Sequence, residues 1–478
     1  MDKESEERPY EQRYSVLLSI MLGSIMGPID ASIVNVILPT ITQFFGVPIS
    51  TAQWVPMIYL LTISSLLLLY GRLGDILGYK RVYLVGLAGF IITSGLCGLS
   101  PTINWLILFR AIQGLSAGMM TAVPYAIITG SFPPEERGKA LGINAISVSV
   151  GLAIGPSLGG LVTSLSSWRF VFLINIPIGI AGLLWAYYII PELKGQPGKM
   201  DLWGALAAFV SLFSFLFFIN SLQSLGLNYA LGIVLSVAMI AAISFLWVES
   251  RTAQPMVNLN LFGNITFSFA NISALLNFMS QYVMVFLTPF YLQRVLHYTP
   301  KNVGLIMTSF PLAVMAVAPF SGSLSDRIGT KVPACFGAGV CAVSLFLMSE
   351  LPASASPLAV VWRLALFGLG TGIFQSPNNS AVMGSAPRPH LGIASGILAT
   401  VRNLGMVFGI ATGGAALYAF APSSILQKAS LTPLEAAVFL SGLKYAYIVG
   451  GISTLIAAVT TLIRGNNHSA HCGFRIPD

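Results

Sequence analysis

A single acidic side chain lies inside the first long apolar run of the sequence. Asp30 is the only charged residue in SVLLSIMLGSIMGPIDASIVNVILP. Ionising a carboxylate in a hydrocarbon environment costs free energy, so such residues face a protein interior or a water-filled cavity and often bind protons or substrates. Asp30 is therefore the first candidate for functional chemistry.

Two arginines are candidate partners for this carboxylate. Arg110 lies in LFRAIQGLSAGMM. Arg110 and Asp30 lie at the same distance from the outer ends of their apolar runs. Each distance is about eight residues, or about 12 Å along a helix. Because buried charges require partners, we expect Asp30 to pair with Arg110 directly or through water, with Arg402 as the competing partner.

Such a pair has the properties of a proton switch. Burial favours the protonated form of an acid, whereas a neighbouring arginine favours the carboxylate. A motion that separates Asp30 from Arg110 would let the carboxylate bind a proton, and the reverse motion would release it. The alternative is a fixed ion pair with a structural role only.

Two further stretches combine glycine with other informative residues. GRLGDILGYKR is predicted to form a short loop, in which Gly74 and Gly78 allow tight turning and Asp75 can meet a helix N-terminus or an arginine. In ISVSVGLAIGPSLGGLV, small residues recur every four positions on one helix face, which allows close helix approach, and Pro156 adds a kink. We expect this face to form a tight, bent contact between two halves of the protein. Its small residues are Ser147, Gly151, Gly155 and Gly159.

Polar and aromatic side chains in the apolar runs are candidates to line a central cavity. The candidates are Met120, Tyr125, Asn144, Asn277, Gln281, Tyr282, Gln375, Asn378, Asn379 and Asn403. Tyrosine and methionine suit varied amphipathic ligands, although helix packing explains each residue alone at least as well. Because arginines outnumber acids at depth, neutral, zwitterionic or amphipathic anionic ligands fit this set better than dications.

The composition places these residues in a membrane. Of the 478 residues, 8% are charged and 55% are hydrophobic, whereas ordinary soluble proteins are about a quarter charged. Fourteen apolar runs are long enough for spanning helices, which need roughly 20 residues. Lysine and arginine are concentrated in the loops on the side that holds both termini, so we expect both termini to be cytoplasmic in a multi-pass protein of the cell membrane.

An internal repeat divides the apolar runs into two related sets. GRLGDILGYKR at 71–81 is echoed by SGSLSDRIGTK at 321–331, and Arg363 echoes Arg110 at nearly the same offset. Internal repeats around a central site are typical of secondary transporters, and chance similarity is the alternative. We predict an all-α integral membrane protein. It has a cytoplasmic tail (1–13), a six-helix bundle (14–190), a linker with two additional helices (191–264), a second six-helix bundle (265–463) and a cytoplasmic tail (464–478).

The motifs together resemble the major facilitator superfamily, specifically its fourteen-helix drug:proton antiporter branch. The resemblance covers about residues 14–463 and rests on GRLGDILGYKR, LFRAIQGLSAG, GLAIGPSLGG and PIDASIVNVILPTI. It implies twelve core helices in two bundles, alternating access and proton-driven export.

The resemblance also implies roles for particular residues. It assigns Asp30 and Arg110 to coupling or substrate recognition. It assigns the loop motif to cytoplasmic gating, through Gly71, Arg72, Gly74, Asp75, Gly78 and Arg81 together with Arg137. The antiporter motif of the fifth helix corresponds to Gly151, Gly155, Pro156, Gly159 and Gly160.

These patterns predict a proton-coupled exporter of amphipathic small molecules or drugs. We expect a monomer in the lipid bilayer that binds no nucleic acid and needs no cofactor, because the proton gradient drives it. The alternatives are a dedicated exporter of one metabolite or lipid-like compound and, more remotely, a transport-dead membrane receptor. We expect no enzymatic activity, because no HExxH motif supports catalysis and the few scattered histidines do not indicate a metal site.

Overall fold

The computed structural model describes residues 12–192, 202–225, 228–252, 259–387, 391–426, 428 and 431–464. Within these residues the chain is helical and has no strand. Thirteen stretches are long and apolar enough to cross a membrane, and one further helix, Leu202–Leu225, carries the shorter apolar stretch Trp203–Ile219. The predicted all-α membrane fold is therefore confirmed.

We number fourteen helical units as spans 1 to 14 in chain order. The first set is span 1 (Arg13–Phe45), span 2 (Ile49–Ala52 and Trp54–Leu77), span 3 (Tyr79–Gly98), span 4 (Ile103–Ala122 and Pro124–Ser131), span 5 (Pro134–Leu165) and span 6 (Phe170–Leu173 and Asn175–Ile189). Spans 7 and 8 are Leu202–Leu225 and Tyr229–Arg251. After a 3-10 turn (Leu259–Gly263) come span 9 (Ile265–Arg294), span 10 (Pro300–Met307 and Ser309–Ile328), span 11 (Lys331–Ser349), span 12 (Pro357–Ser385), span 13 (Leu391–Phe420), a short helix (Ser423–Leu426) and span 14 (Pro433–Ile463).

Glycines end equivalent spans in the two halves of the sequence. Gly78 follows span 2 and Gly329 follows span 10, with φ of 92° and 84°, a backbone conformation that glycine adopts without steric strain. The expected loop of GRLGDILGYKR is wrong in its extent. Residues 71–77 continue span 2, and Gly78 alone separates span 2 from span 3.

The same helix pairs pack in both halves of the chain. Span 1 packs on span 5, span 2 on span 4, and span 3 on span 4; span 9 packs on span 13, span 10 on span 12, and span 11 on span 12. Apart from the pairing of spans 7 and 8, the densest contacts fall within spans 1–6 and within spans 9–14. The internal sequence repeat thus corresponds to two bundles of equivalent packing, which we call the first and second halves.

Spans 7 and 8 pack on each other beside the seam between the two halves. Span 7 contacts span 2 of the first half and span 13 of the second half. Aromatic rings make these contacts: Trp54 meets Phe213 and Phe217, and Phe408 meets Phe215 edge to face. The additional helix pair therefore touches both halves.

Contacts between the halves lie toward the end of the bundle opposite Arg13 and Arg464, which we call the far end. Gln293 donates from Nε2 to the carbonyl of Val36 at 3.1 Å and accepts from the Thr40 hydroxyl at 3.3 Å. Other hydrogen bonds between the halves join the Ser50 N–H to the Tyr418 hydroxyl (2.9 Å) and the hydroxyls of Ser157 and Thr308 (2.6 Å). The far end is closed in this conformation.

The small-residue face of span 5 packs mostly within its own half. A Cβ at Gly151, Gly155 or Gly159 would meet span 1, through Ile25, Ser32 and Ile33 respectively. The expectation that these glycines join the two halves is wrong, because span 1 lies closer to this face than any helix of the second half.

The contact between the halves on span 5 comes from two neighbouring residues. Pro156 and Gly160 approach Gly304 and Pro300 of span 10 so closely that neither Gly160 nor Gly304 has room for a Cβ. Span 5 continues as one helix through Pro156.

Candidate functional site

A buried ion pair connects spans 1 and 4. Arg110 donates from Nη1 to Oδ2 of Asp30, and Asp30 and Arg110 are 1% and 0% exposed. Two amides donate to the other carboxylate oxygen, Gln113 Nε2 at 3.5 Å and Asn175 Nδ2 at 3.3 Å. The direct pairing expected from matching depth is present, and each charge depends on the other because the surroundings exclude water.

Other neighbours fix the Arg110 guanidinium. Its Nε donates to the carbonyl of Val55 at 3.3 Å, and Nη1 also donates to Gln113 Oε1 at 2.6 Å. The guanidinium carbon lies 4.0 Å from the centre of the Tyr59 ring, a cation–π contact. Nη2 has no hydrogen-bond acceptor among the described residues, so the Tyr59 ring face supplies part of the stabilisation of this charge.

Four members of this network were not predicted from the sequence. Gln113, Asn175, Ser94 and Tyr59 come from four different spans, and Ser94 Oγ accepts from the amides of Gln113 (2.7 Å) and Asn175 (3.4 Å). Gln113 had a usable signal, because residues three apart share a helix face and it follows Arg110 at that spacing. The other three are single polar or aromatic residues in apolar runs, and only the fold brings them together.

Arg402 does not reach Asp30. Its side chain is exposed, and it has no hydrogen-bond or ion-pair partner within the part of the chain that the structure describes. Arg402 is the twelfth of the 30 residues of span 13, roughly 17 Å from Leu391 at 1.5 Å per residue. The expectation that it competes for Asp30 is wrong, because the carboxylate is enclosed within the first half.

Four of the cavity candidates are buried in helix packing. Met120, Asn144, Asn277 and Asn378 are each 2% exposed or less. Asn277 donates to the Cys341 sulfur at 3.8 Å, and Asn378 donates to the carbonyl of Ala270 at 3.0 Å. The assignment of these four to an open cavity is corrected, because these buried side chains hold neighbouring helices together or fill the packing between them.

The remaining six candidates range from buried to exposed. Tyr125 and Asn379 are exposed and Gln375 is half-buried, whereas Gln281, Tyr282 and Asn403 are 3–7% exposed. Gln375 of span 12 donates to Gln281 of span 9 at 3.3 Å. The phenol of Tyr282 lies within electrostatic range of Tyr59 in the first half and of Arg402 in the second. Gln281 and Gln375 thus come together within the second half, and Tyr282 lies close enough to both halves to interact electrostatically with each.

The gating motif is described only in part. A Cβ at Gly74 would lie 2.6 Å from the Tyr79 ring and 3.0 Å from Val123, so glycine permits close approach of spans 2 and 4. Arg81 is exposed. Gly71 lies within span 2, and the side chains of Arg72, Asp75 and Arg137 lie outside what the structure describes. The gating role of this motif stays a prediction.

A buried arginine caps the end of span 14 near the chain terminus. Arg464 donates to Oδ1 of Asn378 at 2.6 Å and to the carbonyl of Thr330 at 2.9 Å. Burial lowers the pKa of Arg464 to about 10, so it remains charged near neutral pH. It ties span 14 to span 12 and to the turn between spans 10 and 11.

A separate cavity opens at the far end between spans 2, 4 and 7. Its volume is about 540 Å³. It is lined by Pro48, Ser50, Thr51, Trp54, Ile58, Asn104, Ile107, Phe213, Phe217 and Ser221. None of the three deep charged residues lines it, so it is distinct from the central interface. No cluster of three or more His, Cys, Asp or Glu that could hold a metal ion occurs among the described residues.

The family model described as Major Facilitator Superfamily matches residues 20–275 and 270–471, which together cover most of the chain. The chain belongs to the major facilitator superfamily. The two matched segments correspond broadly to the two halves of equivalent packing described above.

Named relatives of this major facilitator protein include transporters of two kinds. It is 34% identical over 406 residues to the riboflavin transporter RibZ of Clostridioides difficile (strain 630), covering 84% of this chain and 87% of the relative. It is 33% identical over 426 residues to the multidrug resistance protein Stp of Mycobacterium tuberculosis, covering 88% of this chain and 79% of the relative. The drug-efflux type expected from the motifs is supported.

Solved structures agree with the fold. A bacterial homologue of the human lysosomal transporter Spinster, in an inward-facing and occupied conformation, superposes with a TM-score of 0.70 at 17% identity, covering 95% of this chain and 97% of that one. The protein is thus a multi-pass membrane transporter with the major facilitator fold.

Proposed function

We propose that this transporter is a proton-coupled antiporter that exports amphipathic small molecules from the cell by alternating access, with both termini in the cytoplasm. The observation that carries the proposal is the enclosed pair of Asp30 and Arg110, in which a carboxylate is buried deep in a membrane bundle. Acids in such positions commonly belong to proton relays.

The cycle that we propose exposes Asp30 in one state and encloses it in the other. With the far end closed, Asp30 accepts from Arg110 and two amides, an arrangement that favours the carboxylate. When the far end opens, rearrangement of spans 1 and 4 separates the pair, and Asp30 binds a proton from outside. As the far end closes again, Arg110 approaches Asp30 and displaces that proton toward the cytoplasm before the pair is enclosed. Substrate moves outward in the opposite half of the cycle.

The relative named as a multidrug resistance protein supports a broad range of substrates. A second candidate function is export of one dedicated metabolite, and the relative named as a riboflavin transporter favours it. Growth inhibition of a pump-deficient host by a panel of structurally unrelated drugs would separate the two. Expression of a polyspecific exporter protects against many of these drugs, whereas expression of a dedicated one protects against few or none.

The proton coupling is tested in proteoliposomes that contain the purified full chain. With a substrate identified from the panel, an imposed pH gradient should drive its accumulation on the side of higher proton concentration. Abolition of the gradient by an ionophore should stop that accumulation. Transport that proceeds at the same rate with and without the gradient would reject antiport while leaving export itself intact.

A further inference from the structure

The two deep arginines differ in whether their charge is balanced. Arg110 is enclosed and paired with Asp30, so the pair offers no net charge to a ligand. Arg402 is exposed and has no ion-pair or hydrogen-bond partner within the described ranges. The central region of the described structure therefore presents an unbalanced positive charge from span 13.

Helix geometry directs this charge away from the lipid. Arg402, Gly405 and Gly409 follow the spacing i, i+3, i+7 and share one face of span 13. Gly405 and Gly409 on that face pack against span 9, at the backbones of Leu275 and Met279. The face of span 13 that carries Arg402 is thus turned toward the bundle interior.

The cost of charge burial supports the same placement. An arginine at the centre of a bilayer costs about 2.5–3.5 kcal/mol on insertion scales, so deep arginines face the bundle interior or a water-filled cavity. The contacts that span 13 makes with the first half lie toward the far end, at Gly414 and Tyr418. Arg402 is about three helical turns away from these contacts, toward the end of the bundle that holds Arg13 and Arg464.

The surroundings of Arg402 match an amphipathic ligand with an acidic group. Tyr282 of span 9 packs against Gly409, on the face of span 13 that carries Arg402, and its phenol lies within electrostatic range of Arg402. The paired amides of Gln281 and Gln375 provide neutral hydrogen-bonding groups on the same half. A free guanidinium offers a planar fork of N–H donors that binds a carboxylate or a phosphate through two parallel hydrogen bonds.

From this arrangement we propose that Arg402 binds the acidic group of the substrate, and that the transporter selects amphipathic molecules carrying a carboxylate or a phosphate. The proposal rests on the export function above and names its substrate class. It assigns separate roles to the two deep arginines: Arg110 partners Asp30, and Arg402 binds the ligand. A cationic ligand is disfavoured because the enclosed Asp30 cannot offset the charge of Arg402.

A series of probes with one ring system isolates the acidic group. 1-Naphthaleneacetate carries a carboxylate, 1-naphthyl phosphate a phosphate, 1-naphthaleneacetamide a neutral amide and 2-(1-naphthyl)ethylamine an ammonium. Their binding to the purified full chain in lipid nanodiscs is measured by calorimetric titration. We expect at least one acid to bind about ten-fold or more tightly than the amide, because a hydrogen bond between charged groups contributes that much binding free energy. The amine should bind weakest. The stronger of the two acids identifies the preferred group.

Variants of Arg402 connect this preference to one side chain. Arg402→Gln should weaken binding of the preferred acid about ten-fold while leaving the amide within about two-fold. Arg402→Lys keeps the charge without the planar fork and should give an intermediate affinity. The matched control is Arg251→Gln, because Arg251 is an exposed arginine that stacks on Trp247 at the end of span 8; it should bind all four probes as the unaltered protein does.

The outcomes separate this proposal from the proposed antiport. The acidic substrate class is overturned if the unaltered protein binds acid and amide equally, or if it binds neither acid. This test does not depend on whether Arg402→Gln folds. A uniform loss of all probes in Arg402→Gln overturns the role of Arg402. Binding requires no gradient, so the binding assay does not depend on proton coupling. If the acid preference depends on Arg402 but transport is independent of the pH gradient, only the proposed antiport is rejected.

Discussion

Asp30 and Arg110 form an ion pair between spans 1 and 4 in which neither side chain reaches solvent. Three hydrogen bonds reach the enclosed carboxylate, one from Arg110 to Oδ2 and two from Gln113 and Asn175 to Oδ1. A proton can therefore reach Asp30 only after helices move. This relationship makes the pair a candidate coupling element and also a contributor to stability, and the two roles give different predictions.

Loss of the Asp30 carboxylate should destabilise the protein. Asp30→Ala leaves Arg110 buried without a counter-charge, at a cost of roughly 3–5 kcal/mol, and should lower the apparent melting temperature of the purified protein. Asp30→Asn should cost less, since its amide oxygen can still accept from Arg110. Asp30→Asn combined with Arg110→Gln should lose less than the two single variants added together. Strictly additive losses would show that the contact contributes nothing to stability.

The helical membrane architecture and the pairing of Asp30 with Arg110 were predictable from the sequence. Long apolar runs with few charges have few alternatives to spanning helices, and Asp30 and Arg110 could be paired by depth alone. The repeat motifs placed Gly78 and Gly329 at equivalent turns. These inferences needed only the helical rise and the cost of burying charge.

The lining of the central region was less predictable. Sequence position along a helix gives depth, but it does not give the direction in which a side chain points. Asn378 was therefore expected to line a cavity, although it binds the carbonyl of Ala270 and the guanidinium of Arg464. Arg402 was assigned the wrong partner for the same reason, and Tyr59 carried no signal of its stacking on Arg110.

The contact of Gly160 with span 10 should control closure of the far end. Gly160→Ala places a Cβ against the backbone of Pro300 and 3.2 Å from the Cα of Gly304, so it should shift the population toward an open far end. The distance between spin labels at Phe44 and Lys301, which are exposed at the far end, measures this shift in a variant whose native cysteines are replaced by serine.

The control for Gly160 is Gly339→Ala in span 11, where no atom lies within 4 Å of the added Cβ. It should leave the distance distribution unchanged. An unchanged distribution in Gly160→Ala would mean that this contact does not hold the far end closed.

Removal of the Arg464 side chain should destabilise the second half at the end opposite the far end. Arg464→Met leaves the oxygens of Asn378 and Thr330 without their donor, which should cost about 2–3 kcal/mol of stability and lower the melting temperature. Arg251→Met, which removes a stacked surface guanidinium, should have little effect. Equal melting temperatures for the two variants would contradict the structural role of Arg464.

The same residue makes a pH prediction. Burial lowers the pKa of Arg464 to about 10, well below the usual range of an arginine. The folded protein therefore releases this proton more readily than the unfolded chain, so the contribution of the group to stability rises only as pH increases through about 10. Between pH 6 and 8, the stability difference between the unaltered protein and Arg464→Met should be constant, as thermal unfolding at several pH values would measure.

In the proposed cycle, Asp30 couples substrate export to proton entry. The most direct measurement is proton movement into proteoliposomes, followed with an entrapped pH indicator, when substrate is driven out by its own gradient. The unaltered protein should move protons against the direction of substrate. Asp30→Asn should still exchange labelled for unlabelled substrate across the membrane while moving no protons. Proton movement by Asp30→Asn at the unaltered rate would contradict the account and leave the pair of Asp30 and Arg110 with a structural role only.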